Sequence, residues 1–85
     1  MNYEVRWHEP ASTDLLAQLL RSNHKPRMLA AAKEIERRLA ENPQQEGESR
    51  GDSHRILFVR PFSVLFQVEE ESNTVYIDEI KWVGQ

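Results

Sequence analysis

The sequence predicts an α+β fold of two layers, in which an N-terminal strand and a helical hairpin pack on a small antiparallel sheet. Three observations lead to this class: an alternating segment at residues 2–7, amphipathic helical segments at residues 11–42, and strand-like segments at residues 54–83. The order strand, helix, helix, strand, strand, strand places both helices on one face of the sheet. A chain of 85 residues is predicted to form a single domain, residues 1–85.

The opening strand and the first helix are predicted from two different periods of apolar residues. From Tyr3 to Trp7 every second side chain is apolar or aromatic, which indicates a half-buried strand. Residues 11–23 instead repeat their apolar positions every four residues, as an amphipathic helix does. The stripe consists of Ala11, Leu15 and Leu19, widened by Leu16 and Leu20.

A second helix is predicted after the interruption at residues 23–26, because Pro26 suits the first turn of a helix. It ends before Pro43, since the residue that precedes a proline disfavours helical geometry. Two helices joined by so short a link should form an antiparallel hairpin. The apolar face of the second helix comprises Met28, Ala31 or Ala32, Ile35 and Leu39.

The remaining residues predict a loop and three strands. Residues 43–53 are polar and contain glycine, which is typical of a loop. The unbroken apolar run at residues 56–59 is typical of a strand covered on both faces. Short turns near Pro61 and at residues 70–73 separate this strand from two more, and links of that length predict an antiparallel meander.

Composition limits the classes of function and location. Eleven basic residues against fourteen acidic ones give a net charge of -3, whereas a free nucleic-acid binder is usually basic. The chain has no cysteine, so neither disulfides nor thiolate metal sites are available. No signal-peptide pattern opens the chain, and no apolar run approaches the ~20 residues that span a bilayer. We therefore expect a cytoplasmic protein that does not interact with membranes.

Four stretches carry a resemblance to a known family: residues 3–19, residues 31–43, the "GESRG" loop at residues 47–51, and "RILFVRPFSVLFQV" at residues 55–68. In this order they resemble the RelE/ParE superfamily, the toxins of bacterial type II toxin–antitoxin modules. The last stretch is the most specific, because it combines a strand that begins with arginine, a tight turn and a Val-Leu-aromatic-X-Val pattern.

The resemblance implies a twisted sheet with a helical hairpin and a cognate antitoxin as the partner protein. It also implies one of two activities, cleavage of messenger RNA on the ribosome or poisoning of DNA gyrase. A third interpretation is a non-catalytic module, a decayed toxin kept for binding a partner. No cofactor and no metal ion are expected under any of these interpretations.

The candidate catalytic residues are Arg50, His54 and Arg55. Active RNA-cleaving members carry more basic side chains on the sheet, whereas this chain has Ser63 at the position where an arginine is usual. An arginine fork matches phosphate oxygens, and a histidine can transfer protons. Gly51 allows the sharp turn that would bring the three side chains together. However, alternation places Arg55 and His54 on opposite faces of their strand.

The other interpretation of these arginines is structural. They would be surface charges at the ends of strands that form ion pairs with the acidic residues at 46, 48 and 52. His8 and His24 are assigned no role, and the scatter of the three histidines along the chain argues against a metal site. Phe58 is interpreted as a packing residue rather than a platform for base stacking. Tyr76 is interpreted as a cross-strand aromatic, with a displaced proton donor as the alternative.

Overall fold

In the computed structural model, which describes residues 2–84, two helices cover one face of a five-stranded sheet. The predicted α+β class and the order of the predicted elements are confirmed. The elements are β1 (Glu4–Trp7), α1 (Glu9–Arg21), α2 (Lys25–Glu41), a short 3₁₀ helix (Pro43–Gln45), β2 (Glu48–Ser49), β3 (His54–Val59), β4 (Phe62–Glu69) and β5 (Thr74–Trp82). No described helix is long and apolar enough to cross a membrane.

The order of strands across the sheet is β1-β5-β4-β3-β2, and β3, β4 and β5 form the predicted antiparallel meander. β1, in contrast, runs parallel to β5, with Val5 beside Val75 and Trp7 beside Ile77. The sheet is therefore mixed and not wholly antiparallel as predicted. The helical hairpin follows β1 before the chain enters the sheet again, and a connection of that length permits a parallel neighbour.

The segment that was predicted to be a loop contains the 3₁₀ helix and the short strand β2. Glu48 and Ser49 pair with β3, so the segment forms a small hairpin at the edge of the sheet. Gly47 makes this approach possible, because a Cβ atom on it would lie 2.2 Å from the carbonyl oxygen of Ile56. Its φ of +70° also falls in the left-handed region, which favours glycine.

The helices begin and end where local chemistry favours it. Pro10 and Pro26 lie in the first turns of α1 and α2, where the missing N–H of proline costs no helical hydrogen bond. Glu9 in the first turn and Arg21 in the last turn match the helix dipole of α1. The predicted inner face of α2 is confirmed as buried: Met28, Ala31, Ala32, Ile35 and Leu39.

The apolar stripe of α1 is wider than the surface that the sheet covers. Ala11 is fully buried, and Leu15 and Leu19 pack against the core. Leu16 and Leu20, in contrast, are 57% and 71% exposed. An apolar surface of this kind on a helix is a feature of binding sites.

The core lies between the helices and one face of the sheet. Besides the helix residues it consists of Leu57, Phe62, Val64, Phe66, Val75, Ile77 and Ile80. The prediction that β3 is covered on both faces is wrong, because Leu57 is buried whereas its neighbour Phe58 is 54% exposed. Both helices pack on the same side of the sheet, so the apolar residues of β3 that point the other way remain accessible.

Candidate functional site

The face of the sheet that the helices leave uncovered, called the open face below, carries most of the polar groups of the strands. Its residues follow from the register, which pairs His54 with Gln67 and Ile56 with Leu65 across β3 and β4. The open face comprises Arg6, His8, His54, Ile56, Phe58, Ser63, Leu65, Gln67, Tyr76, Asp78, Glu79 and Lys81.

A concavity of about 360 Å³ lies on the open face, between the β2–β3 turn and the end of β5. Arg50 and Lys81 bring two cations to it. Their ion pairs are long and exposed, 3.8 Å from Arg50 to Glu48 and 3.9 Å from Lys81 to Glu79. Such pairs contribute about 0–1 kcal/mol, so exchanging them for an anionic ligand costs little. The other lining residues are Gly51, Asp52, His54, Ile56, Ser63, Leu65 and Glu79.

Beside the concavity, one carboxylate collects three polar side chains, and these four residues are called the Asp78 cluster. The Nδ1 atom of His8 lies 2.6 Å from one oxygen of Asp78. The Nε2 atom of His54 lies 2.9 Å from the other oxygen, and the amide of Gln67 donates to that same oxygen at 2.8 Å. The cluster therefore joins the end of β1 to β3, β4 and β5.

A β-bulge places Asp78 in this position. Leu65 pairs with Glu79 and the next residue, Phe66, pairs with Ile77, so Asp78 is the extra residue of β5. Bulges re-aim side chains and occur often beside functional sites. Here the bulge turns a carboxylate with 18% of its side chain exposed toward two imidazole rings.

The carboxylate also determines where the histidine protons lie. An ionised carboxylate only accepts hydrogen bonds, so the ring nitrogens that face Asp78 carry protons. His8 therefore has its proton on Nδ1, and its ring stacks on Tyr76 with centroids 4.7 Å apart. His54 donates from Nε2, while its Nδ1 lies 3.2 Å from the carbonyl oxygen of Asp52.

The structure brings two of the three predicted site residues together. Arg50 and His54 both line the concavity. Arg55 projects on the other side of β3, as alternation predicted, and donates to the carbonyl oxygens of Glu46 at 2.9 Å and Gly47 at 3.1 Å. Its guanidinium therefore holds the chain that leads into β2.

One of the predicted acidic neighbours, Glu48, forms an exposed ion pair with Arg50, as the structural interpretation expects, whereas Glu46 does not. Glu46 pairs with Arg38 of α2 at 2.6 Å and not with Arg50 or Arg55 through its carboxylate. This ion pair fixes the segment before β2 to the helical layer. This ion pair and the two hydrogen bonds from Arg55 hold the base of the β2–β3 hairpin in place, so these residues support the fold.

Sequence reasoning missed His8, Gln67, Asp78 and Lys81 as members of the site. His8 reaches Asp78 because β1 and β5 are parallel, with Trp7 beside Ile77, so the next residue of each strand is also adjacent. The polar positions 4, 6 and 8 of the opening strand were a usable signal, since they share one face. The described part of the chain contains no group of three or more metal-ligating side chains that could hold a metal ion.

No family model matches the chain, and no curated protein matches it in sequence. Solved structures do match. The toxin–antitoxin complex RelBE2 from Mycobacterium tuberculosis is 26% identical, with 96% of this chain and 92% of that chain covered and a TM-score of 0.75. The chromosomal ParDE system from P. aeruginosa is 23% identical, with 95% and 96% covered and a TM-score of 0.64. An arginine mutant of the E. coli toxin RelE in the free state is 20% identical, with 96% and 84% covered and a TM-score of 0.72. The resemblance drawn from the sequence is therefore confirmed.

Proposed function

The chain has the fold of the RelE/ParE toxins over nearly its whole length, and from this premise we propose that it is the toxin of a type II toxin–antitoxin module. In this proposal the 85-residue chain acts as one domain in the cytoplasm. Its activity is the cleavage of messenger RNA on the ribosome, and its regulator is a cognate antitoxin.

The concavity of the open face carries the proposal of RNA cleavage. Arg50 and Lys81 supply positive charge on either side of a surface that also contains His54. Cations held in place stabilise the charge that develops on a phosphate during cleavage, and the arginine fork matches two phosphate oxygens. Ser63 forms part of the floor, so fewer cations are present here than the superfamily pattern implies.

Ribosomes programmed with a defined messenger RNA and mixed with the purified protein test this activity. We expect new message ends, mapped by primer extension, in the presence of ribosomes. Arg50→Ala and Lys81→Ala should each reduce the rate about 10-fold to 100-fold, because each removes a charged hydrogen-bond donor worth about 1.5–3 kcal/mol. Arg21→Ala, at the end of α1, is the matched control and should leave the rate unchanged. Growth arrest without new message ends would exclude RNA cleavage.

The exposed apolar residues of the helical hairpin support an antitoxin as the partner. Leu16 and Leu29 line a groove of about 440 Å³ between α1 and α2, together with Trp7 and Ala32. Amphipathic helices bind in grooves of this kind through apolar side chains. We propose that a helix of the antitoxin occupies the groove. Structural neighbours that are toxin–antitoxin complexes support an antitoxin as the partner.

Charge placed in the groove tests the binding surface. Leu16→Asp combined with Leu29→Asp should weaken binding of the antitoxin encoded beside the toxin without reducing toxicity. Thr13→Asp combined with Ala30→Asp adds the same two charges at exposed positions of α1 and α2 outside the groove and should leave binding unchanged. Equal affinity for all three proteins would place the antitoxin elsewhere.

Poisoning of DNA gyrase is the second candidate function. The fold match to the ParDE system favours it, and so does the carboxylate of Glu79, which lines the concavity and repels a phosphate. A gyrase poison should block supercoiling by purified gyrase when the protein is in excess. Normal supercoiling together with unimpaired growth upon expression would instead support the third interpretation, a module that only binds a partner.

A further inference from the structure

The geometry points to His8 as the general base of the open face, with Asp78 as the residue that positions it. This inference rests on the proposed RNA cleavage and assigns the residue that accepts the proton. His8 follows the last residue of β1, and its backbone N–H donates to the carbonyl of Ile77 at 2.9 Å. Its side chain is 47% exposed, so a substrate can reach the ring.

Two contacts fix the orientation of the His8 ring. Nδ1 donates to Asp78 at 2.6 Å, and the ring lies over Tyr76 at an interplanar angle of 30°. With the proton on Nδ1, the neutral ring has its lone pair on Nε2. Nε2 makes no hydrogen bond to any group of residues 2–84. A carboxylate behind one nitrogen and a free lone pair on the other are the arrangement of a positioned general base.

His54, the histidine predicted from the sequence, is less suited to this role. Both of its ring nitrogens face acceptors, Nε2 the carboxylate of Asp78 and Nδ1 the carbonyl of Asp52. To accept a proton from a substrate it would have to give up one of these contacts. His54 is instead a tether that holds β3 to Asp78 from the opposite side.

In the reaction, Nε2 of His8 accepts the proton of a ribose 2′-hydroxyl. The O2′–P bond forms and the P–O5′ bond breaks, which leaves a 2′,3′-cyclic phosphate and a 5′-hydroxyl whose proton comes from solvent water. The imidazolium of His8 is stabilised by Asp78 and then returns its proton to solvent. Asp78, which holds the His8 ring, and Lys81 both lie on the open face, three residues apart on β5, or about 10 Å along the strand.

The decisive variant is His8→Asn in the ribosome cleavage assay. The asparagine amide can still donate to Asp78, so the contact that supports the fold is kept while the basic nitrogen is lost. We expect the cleavage rate to fall about 100-fold to 10,000-fold, the usual contribution of a general base. His24→Ala, at the exposed start of α2, is the matched histidine control and should cleave at the wild-type rate.

Chemical rescue separates catalysis from structure. Imidazole added to the buffer should restore part of the rate of His8→Ala and none of the rate of Arg50→Ala. Asp78→Asn should reduce the rate without rescue. It should also move the His8 proton away from Nδ1, as ¹⁵N NMR of the ring would show.

The outcomes distinguish this inference from the proposed function. A wild-type protein that does not cleave messenger RNA overturns both. A wild-type protein that cleaves, with His8→Asn equally active, overturns the role of His8 alone. The role of His8 is also overturned if His8→Ala loses activity that imidazole does not restore while His8→Asn remains active.

Discussion

The two faces of the sheet are built from the same strands but are under different constraints. On the face toward the helices, Phe62, Val64 and Phe66 are fully buried. On the open face, the intervening positions of β4 are Ser63, Leu65 and Gln67, and they line the concavity or join the Asp78 cluster. Alternation along a single strand therefore separates residues that hold the fold from residues available for chemistry.

The largest expected effect is a difference in stability between substitutions at two adjacent residues of β4. Phe66→Ala should destabilise the protein by about 3–5 kcal/mol, because it leaves a cavity in the core. Leu65→Ala, on the open face, should cost less than about 1 kcal/mol. Urea denaturation monitored by circular dichroism measures both values. Similar losses for the two variants would contradict the division between the faces.

Alanine substitutions at the two glycines that flank β2 should differ in how much they destabilise the protein. Gly47 and Gly51 have φ angles of +70° and +77°, so alanine at either costs about 1–2 kcal/mol for the left-handed backbone. At Gly47 the new Cβ atom would also lie 2.2 Å from the carbonyl oxygen of Ile56, whereas at Gly51 it meets no atom within 4 Å. Gly47→Ala should therefore be the more destabilising by about 1–3 kcal/mol. Equal melting temperatures would show that β2 does not pack closely against β3.

Substitutions of Arg55 and Arg50 should rank in opposite orders for their effects on stability and on toxicity. Arg55→Ala should lower the free energy of unfolding by about 1–2 kcal/mol, because Glu46 and Gly47 lose a charged donor. Arg50→Ala should change it by less than about 0.5 kcal/mol, since its ion pair is exposed and long. Toxicity should respond in the reverse order, with Arg50→Ala the more harmful to it. Growth assays and denaturation of the same two variants would test this, and a parallel ranking in both would refute it.

The smallest effect is a pH dependence at a contact outside the strands, between Tyr3, which precedes β1, and Glu70, which follows β4. The hydroxyl of Tyr3 donates to Glu70 at 2.7 Å, which lowers the pKa of Glu70 and raises the pKa of Tyr3. The amide of Gln44 also donates to Glu70 and lowers its pKa further.

The sign of each shift fixes the pH range of the stabilisation. The part from Glu70 is present above the ordinary pKa of a glutamate and is lost as pH falls through the lowered value. The part from Tyr3 is present below the ordinary pKa of a tyrosine and is lost as pH rises through the raised value. Tyr3→Phe should therefore differ in stability from wild type at neutral pH more than at either extreme. NMR titration should show a higher pKa for Glu70 in this variant, and an unchanged value would contradict the contact.

Most of the fold was predictable because it depends on local periods of apolar residues. The inner face of α2 and the opposite directions of His54 and Arg55 follow from spacing alone. The parallel placement of β1 did not follow, since alternation defines the faces of a strand but not the direction of its neighbour. The exposure of Phe58 was missed for a related reason: the sequence shows an apolar run but not the side on which both helices pack.

The site was less predictable because it depends on contacts between distant parts of the chain. His8 and Asp78 are seventy residues apart in sequence and meet only through the register of β1 and β5. The bulge at Asp78 is also a product of the pairing between β4 and β5. Arg55 was a reasonable candidate from its residue type, but its carbonyl partners exist only once the chain before β2 has folded back.

The bulge at Asp78 has a consequence for exchanging parts between related toxins. Before it, odd-numbered residues of β5 such as Val75 and Ile77 are buried, whereas after it the buried residue is Ile80. The parity of the strand is thus reset by a single added residue. A graft in which the strand kept the added residue but paired without the bulge would continue the earlier alternation and turn Lys81 toward the hydrophobic interior. The bulged pairing of β4 with β5, as much as residue identity, must therefore be preserved in any chimera.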